Sequence, residues 1–261
     1  MSTTESVAPE SLSLPHGLCQ RAWERVVAER GLVEVTGEGG GPAQILTSPM
    51  SPDPVGEVRV FAAASEDEPV AKLVYVGLTV AMIGLDSHMV FAFTREGLPI
   101  PHFTLDSVQG HGTFAFHLDL IPRADLGTHL PYLDWAYEPL TPTFEDVQTW
   151  EGLTKAEIGP RQNAMMSPWM LVNRADTDAF VAIESAVTTY LDHWLGLLDG
   201  GVPAEVVADV ADTDLPARDA RNRALIFSPE VDKVWAQVAQ LIGDDASEKV
   251  RAQLLDNGVA G

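Results

Sequence analysis

Between residues 57 and 121 the chain passes through five stretches with the period and composition of β-strands: EVRVFAAA, VAKLVYVGLTVAMIG, HMVFAFT, HFTLDSV and TFAFHLDLI. The pieces that join them, SEDEP, GLDS, REGLP and GHG, are short and rich in turn residues. Parallel neighbours need a crossover of a dozen residues or more, whereas antiparallel neighbours need only a tight turn. The spacing therefore predicts an antiparallel meander, and whatever else folds must pack on its faces.

The second half of the chain changes period. In DAFVAIESAVTTYLDHWLGLLDGG, residues Phe180, Ile183, Val187, Leu191, Trp194 and Leu198 form one stripe of a helix. Asp178 is placed to cap its start and Gly200–Gly201 to stop it. Further helices are expected at 216–226 and 229–256, and an earlier amphipathic one at 12–30, carrying Leu18, Trp23, Val26 and Val27. Residues 31–56, with GEGGGP and SPMSPDP, read as loop with at most a short strand. Residues 1–10 have nothing to bury and are expected to be a disordered tail. No repeat or linker divides residues 11–261, which read as one α+β domain, an antiparallel sheet with helices on its faces.

Charge narrows the partners. The balance of 16 Lys and Arg against 38 Asp and Glu gives −22, which argues against nucleic acid or an anionic membrane, both of which need a basic surface. A single cysteine, Cys19, excludes an internal disulfide framework and makes a reducing cytoplasm the default compartment. The N-terminus lacks the charged and apolar regions of a signal peptide, and no apolar run approaches the length of a membrane span.

Familiar motifs are missing. GEGGG at 37–41 lacks the Lys-Ser/Thr of a phosphate loop, and no G-x-S-x-G elbow occurs. His102, His111 and His117 lie close in sequence, and a shared face would suit a metal, but no compact histidine pair with a carboxylate accompanies them. The ordinary reading is polar histidines at strand ends, with no metal site. Asp106 is harder to dismiss. It sits in the middle of the strand HFTLDSV with no cation among its neighbours in sequence, and a buried carboxylate needs either a partner or a task.

Several separated stretches, taken together, resemble the ferredoxin-dependent bilin reductase superfamily, and most of all its red chlorophyll catabolite reductase branch. PHFTLDSVQ at 101–109 is similar to the family's Pro-x-Phe-x-x-acid-x-hydrophobic pattern. HLDLIPRADL at 117–126, followed by YLDWAYEPL, is similar to a run of the chlorophyll catabolite branch. SPWMLVNR at 167–174 fits Ser-Pro-x-x-hydrophobic-x-x-Arg, and ARDARNRAL at 217–225 resembles the segment that carries a second functional Asp. The order agrees over roughly residues 55 to 255.

The resemblance implies a three-layer α/β/α sandwich with a tetrapyrrole pocket between the sheet and the C-terminal helices. It implies reduction of an open-chain tetrapyrrole such as biliverdin without a bound cofactor, electrons coming from ferredoxin through radical intermediates and protons from pocket acids. Asp106 and Asp219 are then the catalytic acids, and Arg174, Ser167 and Trp169 the substrate-binding candidates. Other roles stay open for each. Asp219 has Arg218, Arg221 and Arg223 nearby for a surface ion pair, and Arg174 has Asp176 and Asp178. Ser167 is placed to shape a turn with Pro168, Trp169 to serve as pocket wall or core, and Asp119 and Asp125 to cap or turn the chain. The chlorophyll catabolite branch carries Glu where this chain has Asp106, and only local basic patches, at Arg218, Arg221, Arg223 and Lys233 or at Arg21 and Arg25, are available to dock ferredoxin. A tetrapyrrole-binding protein without the chemistry is the alternative.

Overall fold

The strand-like runs all form strands, and they belong to one sheet. The computed structural model describes residues 12–256; the expected tail at 1–10 lies outside them. The strands are β1 (Val33–Val35), β2 (Gln44–Leu46), β3 (Gly56–Ala62), β4 (Val70–Val80), β5 (Leu85–Thr94), β6 (His102–Gly110), β7 (Thr113–Ile121), β8 (Leu153–Lys155) and β9 (Leu171–Ala175). Their order is β1-β3-β4-β5-β6-β7-β9-β8, with β2 also pairing β3. Every pairing is antiparallel, and β3 to β7 form the expected meander. The segment 31–56 holds two short strands where the sequence suggests at most one.

Helices cover both faces. In chain order they are α1 (Leu14–Arg30), α2 (Leu130–Ala136), α3 (Thr141–Val147), α4 (Pro160–Asn163), α5 (Thr177–Ala182), α6 (Glu184–Gly200), α7 (Ala204–Asp209), α8 (Leu215–Ile226), α9 (Val234–Ile242) and α10 (Asp244–Leu255). One core joins α1, α2, α5, α6 and α7 to one face of the sheet, through Trp23, Phe103, Leu118, Tyr137 and Trp194 among others. A second core joins α8, α9 and α10 to the opposite face through Val58, Val74, Phe91, Phe227, Trp235 and Leu254. The result is the α/β/α sandwich. Because both faces are covered, β4 is buried along all its length except Thr79, which explains its nearly unbroken apolar run. Its one charged residue, Lys72, is 2% exposed, and its ammonium donates to the carbonyls of Gln253 (2.6 Å) and Asp256 at the end of α10.

Two expected helices are interrupted. The stripe from Phe180 to Leu198 is buried as expected, but α5 and α6 divide at Ile183, and the cap is Asp176, whose side chain accepts from Ala179 N (2.9 Å), rather than Asp178. The segment 229–256 breaks at Gly243, whose φ of 88° a side-chain-bearing residue rarely adopts. Thus α9 and α10 pack as separate rods.

The β6–β7 turn fixes how the centre of the sheet is registered. Gly110 pairs with Thr113, and both central residues have positive φ, 51° at His111 and 78° at Gly112, as a type I′ hairpin requires. A two-residue turn leaves one register, which sets Asp106 opposite His117.

Candidate functional site

A cavity of about 620 Å³ opens between the sheet and the C-terminal helices, within the size range of small-molecule sites. Its sheet wall is built by β4 to β7 and β9, its other wall by α8, α9 and the turn between them. Phe91, Phe227 and Trp235 provide aromatic surface, and Met89, Met166 and Met170 provide side chains able to adapt to an irregular ligand. This lining suits a mostly apolar small molecule.

Polar chemistry on the sheet wall centres on Asp106 and His117. Alternation along the strands sends Asp106 and Val108 of β6, and His117 of β7, into the cavity, while Phe103 and Leu105 enter the opposite core. Asp106 Oδ2 lies 3.2 Å from His117 Nδ1. The cation absent from the neighbouring sequence comes from across the hairpin. Burial opposes a charge on His117, but the hydrogen bond and charge of Asp106, helped by Asp119 and Asp232, outweigh it and raise its pKa. Asp106 Oδ1 and His117 Nε2 are buried and have no hydrogen-bond partner among the described residues. Such atoms in a cavity wall are the natural contacts for a polar ligand group.

Asp119, two residues beyond His117, is fully buried rather than a capping residue. It accepts hydrogen bonds from Ser167 N (2.9 Å) and Ser167 Oγ (2.5 Å). Burial raises its carboxyl to about 6 against the opposing pull of His117 and these bonds. Asp125 does shape a turn, accepting from Gly127 N (2.8 Å).

Of the five residues singled out from the sequence, Asp106 alone lines the cavity. Ser167 is held against Asp119 and takes a bond from Trp169 N (3.1 Å), so it shapes the turn between the lining residues Met166 and Met170. Trp169 joins the core on the other face, where its indole stacks on Tyr137 with ring centres 5.5 Å apart and donates to Thr141 Oγ1 (2.9 Å). Arg174 is exposed on β9, two residues past the lining residue Val172. It shares that residue's face of the strand but stands outside the cavity lining.

Asp219 is neither on an exposed surface nor in the cavity wall. It is 4% exposed on α8, and both oxygens are engaged: Oδ1 with His102 Nε2 (2.7 Å), Oδ2 with Arg223 (2.6 and 3.0 Å). Arg123 Nη1 stands 3.8 Å away. His102 Nδ1 accepts from Thr94 N (3.0 Å), which leaves Nε2 to donate to Asp219. Burial and the nearby Arg123 charge lower His102 to about 3, so it is a neutral donor. Burial disfavours the charge on Asp219, yet the bonds from His102 and Arg223 and the charge of Arg123 hold its carboxyl well below the usual range.

The expected ferredoxin patches also change. Arg223 is 2% exposed, and Arg21 and Arg25 pair with Glu184 and with Glu29 and Asp192. The three histidines do not gather: His102 pairs with Asp219, His111 sits in the turn, and His117 pairs with Asp106. Among the described residues no group of three His, Cys, Asp or Glu could hold a metal. No helix among them is long and apolar enough to cross a membrane. Among the polar residues that line the cavity, His117 and Asp232 were not among the site residues suggested by the sequence. His117 was legible as the partner of Asp106 by counting outward from GHG. Asp232, in the stretch expected to be helical, had no such signal.

No family model matches the chain, and no curated protein is similar to it. Among solved structures it is similar to selenomethionine phytochromobilin synthase from tomato in complex with biliverdin, at 18% identity and a TM-score of 0.64. The match covers 93% of this chain and 84% of that one. The two proteins share a fold.

Proposed function

We propose that the cavity binds an open-chain tetrapyrrole, a bilin or a chlorophyll catabolite, and that the protein reduces it with electrons from ferredoxin. The single observation that carries this reading is the Asp106–His117 pair, with polar atoms that have no hydrogen-bond partner among the described residues, in the wall of a mostly apolar cavity between sheet and helices. The shared fold with a protein solved in complex with biliverdin supports the tetrapyrrole, and the resemblance of the run at 117–126 favours the chlorophyll catabolite branch.

Reducing one double bond takes two electrons and two protons. In this reading ferredoxin delivers the electrons singly, the intermediate is a substrate radical, and no resident flavin or nicotinamide is needed. The Asp106–His117 pair shares a proton that it passes to the substrate, and its remaining atoms orient the pyrrole nitrogens and the terminal carbonyl. General acid catalysis needs the protonated form, and the hydrogen bond and charge of Asp106 favour that form of His117. Asp219 acts at a distance, locking α8 against His102 so that Ile226 and Phe227 hold the cavity wall. Ser167 sets the turn between two methionines of the lining, Trp169 braces that turn from the opposite core, and Arg174 meets a carboxylate arm that extends past Val172.

Mixing the protein with biliverdin and then adding reduced ferredoxin tests the reading. Altered pigment absorption followed by stepwise bleaching is expected. Absorption that changes on mixing and then persists would make the protein a binder, and no change on mixing would sink the tetrapyrrole reading. The variant Asp106→Asn is expected to bind pigment and to lose turnover by roughly 10²- to 10⁴-fold, the usual worth of a general acid. Wild-type turnover in that variant would remove Asp106 from the role.

A further inference from the structure

We infer that Asp119, sealed beneath the cavity wall, is a positioning residue for the reaction proposed above. It acts through His117, keeping that imidazole in the form that carries the proton. The inference rests on the tetrapyrrole reading and adds to it a residue outside the cavity lining.

Strand register places Asp119 next to the pair. On the cavity face of β6 and β7, Asp106 stands opposite His117, and the next rung on that face is Thr104 opposite Asp119. Asp119 is fully buried, and Ser167 holds both carboxyl oxygens through its N–H and its hydroxyl. Ser167 is neutral, so these bonds leave the charge of the carboxylate unanswered. A buried carboxylate needs a positive group near it. The positive group that acts on Asp119 is His117, two residues along the strand. The influence runs both ways. Burial opposes a charge on His117, the hydrogen bond and charge of Asp106 outweigh it, and Asp119 is next in strength, ahead of Asp232. Thr104 Oγ1, Asp106 Oδ1 and His117 Nε2, on the same two rungs, are buried with no hydrogen-bond partner among the described residues. Acids and an imidazole set this closely titrate as a unit.

Glu157 and Lys233 share the cavity lining with His117. The phenols of Tyr137, just after α2, and Tyr190, on α6, lie within the field of Asp119, and burial raises both, so they stay neutral. Burial raises the Asp119 carboxyl to about 6, and the charge of His117 opposes that rise. Above pH 6 Asp119 is a carboxylate and favours the imidazolium; below it the carboxyl takes up a proton and its pull is released. Shaping the turn at Ser167 needs only an acceptor, which an amide side chain supplies. The charge has a use at His117.

The test starts with pigment-free protein. NMR titration follows the His117 imidazole and the Asp119 carboxyl in wild type, Asp119→Asn, His117→Gln and Ser167→Ala. Asn keeps the shape of Asp, and Ser167 Oγ can turn to accept from its amide. In Asp119→Asn the His117 midpoint should fall by about one pH unit, as loss of a near carboxylate predicts. Coupling is reciprocal, so the Asp119 midpoint should rise in His117→Gln, a reading that survives if Asp119→Asn does not fold. Ser167→Ala keeps the carboxylate and loosens the turn; it should lower the thermal midpoint and move the His117 midpoint far less. With biliverdin and reduced ferredoxin, the alkaline limb of the turnover profile should move to lower pH in Asp119→Asn, because the donor must be protonated, while biliverdin affinity is kept. An unchanged His117 midpoint in folded Asp119→Asn, or an unchanged Asp119 midpoint in His117→Gln, would overturn the inference and leave the tetrapyrrole reading in place. So would a shifted midpoint with an unmoved turnover profile, or equal shifts in Ser167→Ala and Asp119→Asn, which would make Asp119 a turn-holding residue. If wild-type protein leaves biliverdin unreduced, the proposed reaction falls and the positioning role with it, whatever the titrations show.

Discussion

The two faces of the sheet are packed to different ends. On the α6 face, Trp194 is fully buried, donates from Nε1 to Pro101 O (2.8 Å), and lies against Phe103, in a core that also takes in Tyr132, Tyr137 and Tyr190. The C-terminal face is covered by α8, α9 and α10, and part of its lining is methionine around a cavity. Aromatic rings with satisfied polar tips specify a single packing, whereas unbranched thioethers tolerate several. One sheet thus carries its stability on one side and its ligand space on the other. The lesson concerns strand alternation: neighbouring residues such as Leu105 and Asp106 serve opposite ends because they point to opposite faces.

This contrast can be broken most directly at Trp194. Trp194→Ala should cost about 3–5 kcal/mol, from the cavity it leaves and the lost bond to Pro101, read as a fall in the urea midpoint. A loss under about 1 kcal/mol would mean that the α6 face is no more tightly packed than its counterpart.

Asp119 sharpens the comparison through pH. Its folded carboxyl, at about 6, lies above the roughly 3.9 of an unfolded Asp. The folded state therefore binds this proton more tightly, so the contribution is present in full below pH 4 and is lost as pH rises through 6. Two units correspond to at most about 3 kcal/mol. Asp119→Asn should flatten the stability profile between pH 4 and 6 relative to wild type, as followed by urea unfolding at each pH. An unchanged slope would show that Asp119 is not the group that titrates there.

The smallest effect belongs to the lining. Met170→Leu conserves volume and should change stability by less than about 1.5 kcal/mol while altering pigment affinity. A large loss of stability with unaltered affinity would make Met170 a core residue and erase the distinction between the faces.

Much of the fold was legible because period and turn residues are local signals. The runs from Val58 to Ile121 became strands, and the stripe from Phe180 to Leu198 became a buried helical face. Breaks were less legible. Gly243 divides a pattern that reads as one helix, and the cap moved from Asp178 to Asp176, since either aspartate can serve and only tertiary packing chooses. At the site, Asp106 stood out as a carboxylate on an apolar strand, and the hairpin turn implied its partner. The fate of Asp219 did not stand out, because His102 and Arg123 come to it from 117 and about 100 residues away in the chain. Burial of an ion pair is a property of the packed sandwich, and nothing in ARDARNRAL distinguishes a solvated pair from a sequestered one.

Lys72 ties the end of the described chain to its middle. Its ammonium sits beneath α10, over the ring of Phe93 at 5.7 Å, and satisfies carbonyls that a helix terminus otherwise leaves to water. Burial and the nearby Arg223 charge lower it to about 8. The last helix is thus moored to a central strand, and a residue type that elsewhere decorates protein surfaces works here as a rivet through the sandwich. Whatever loosens that rivet, whether a charge placed at the chain end or a loss of the ammonium in alkaline solution, is transmitted directly to the layer that roofs the ligand space.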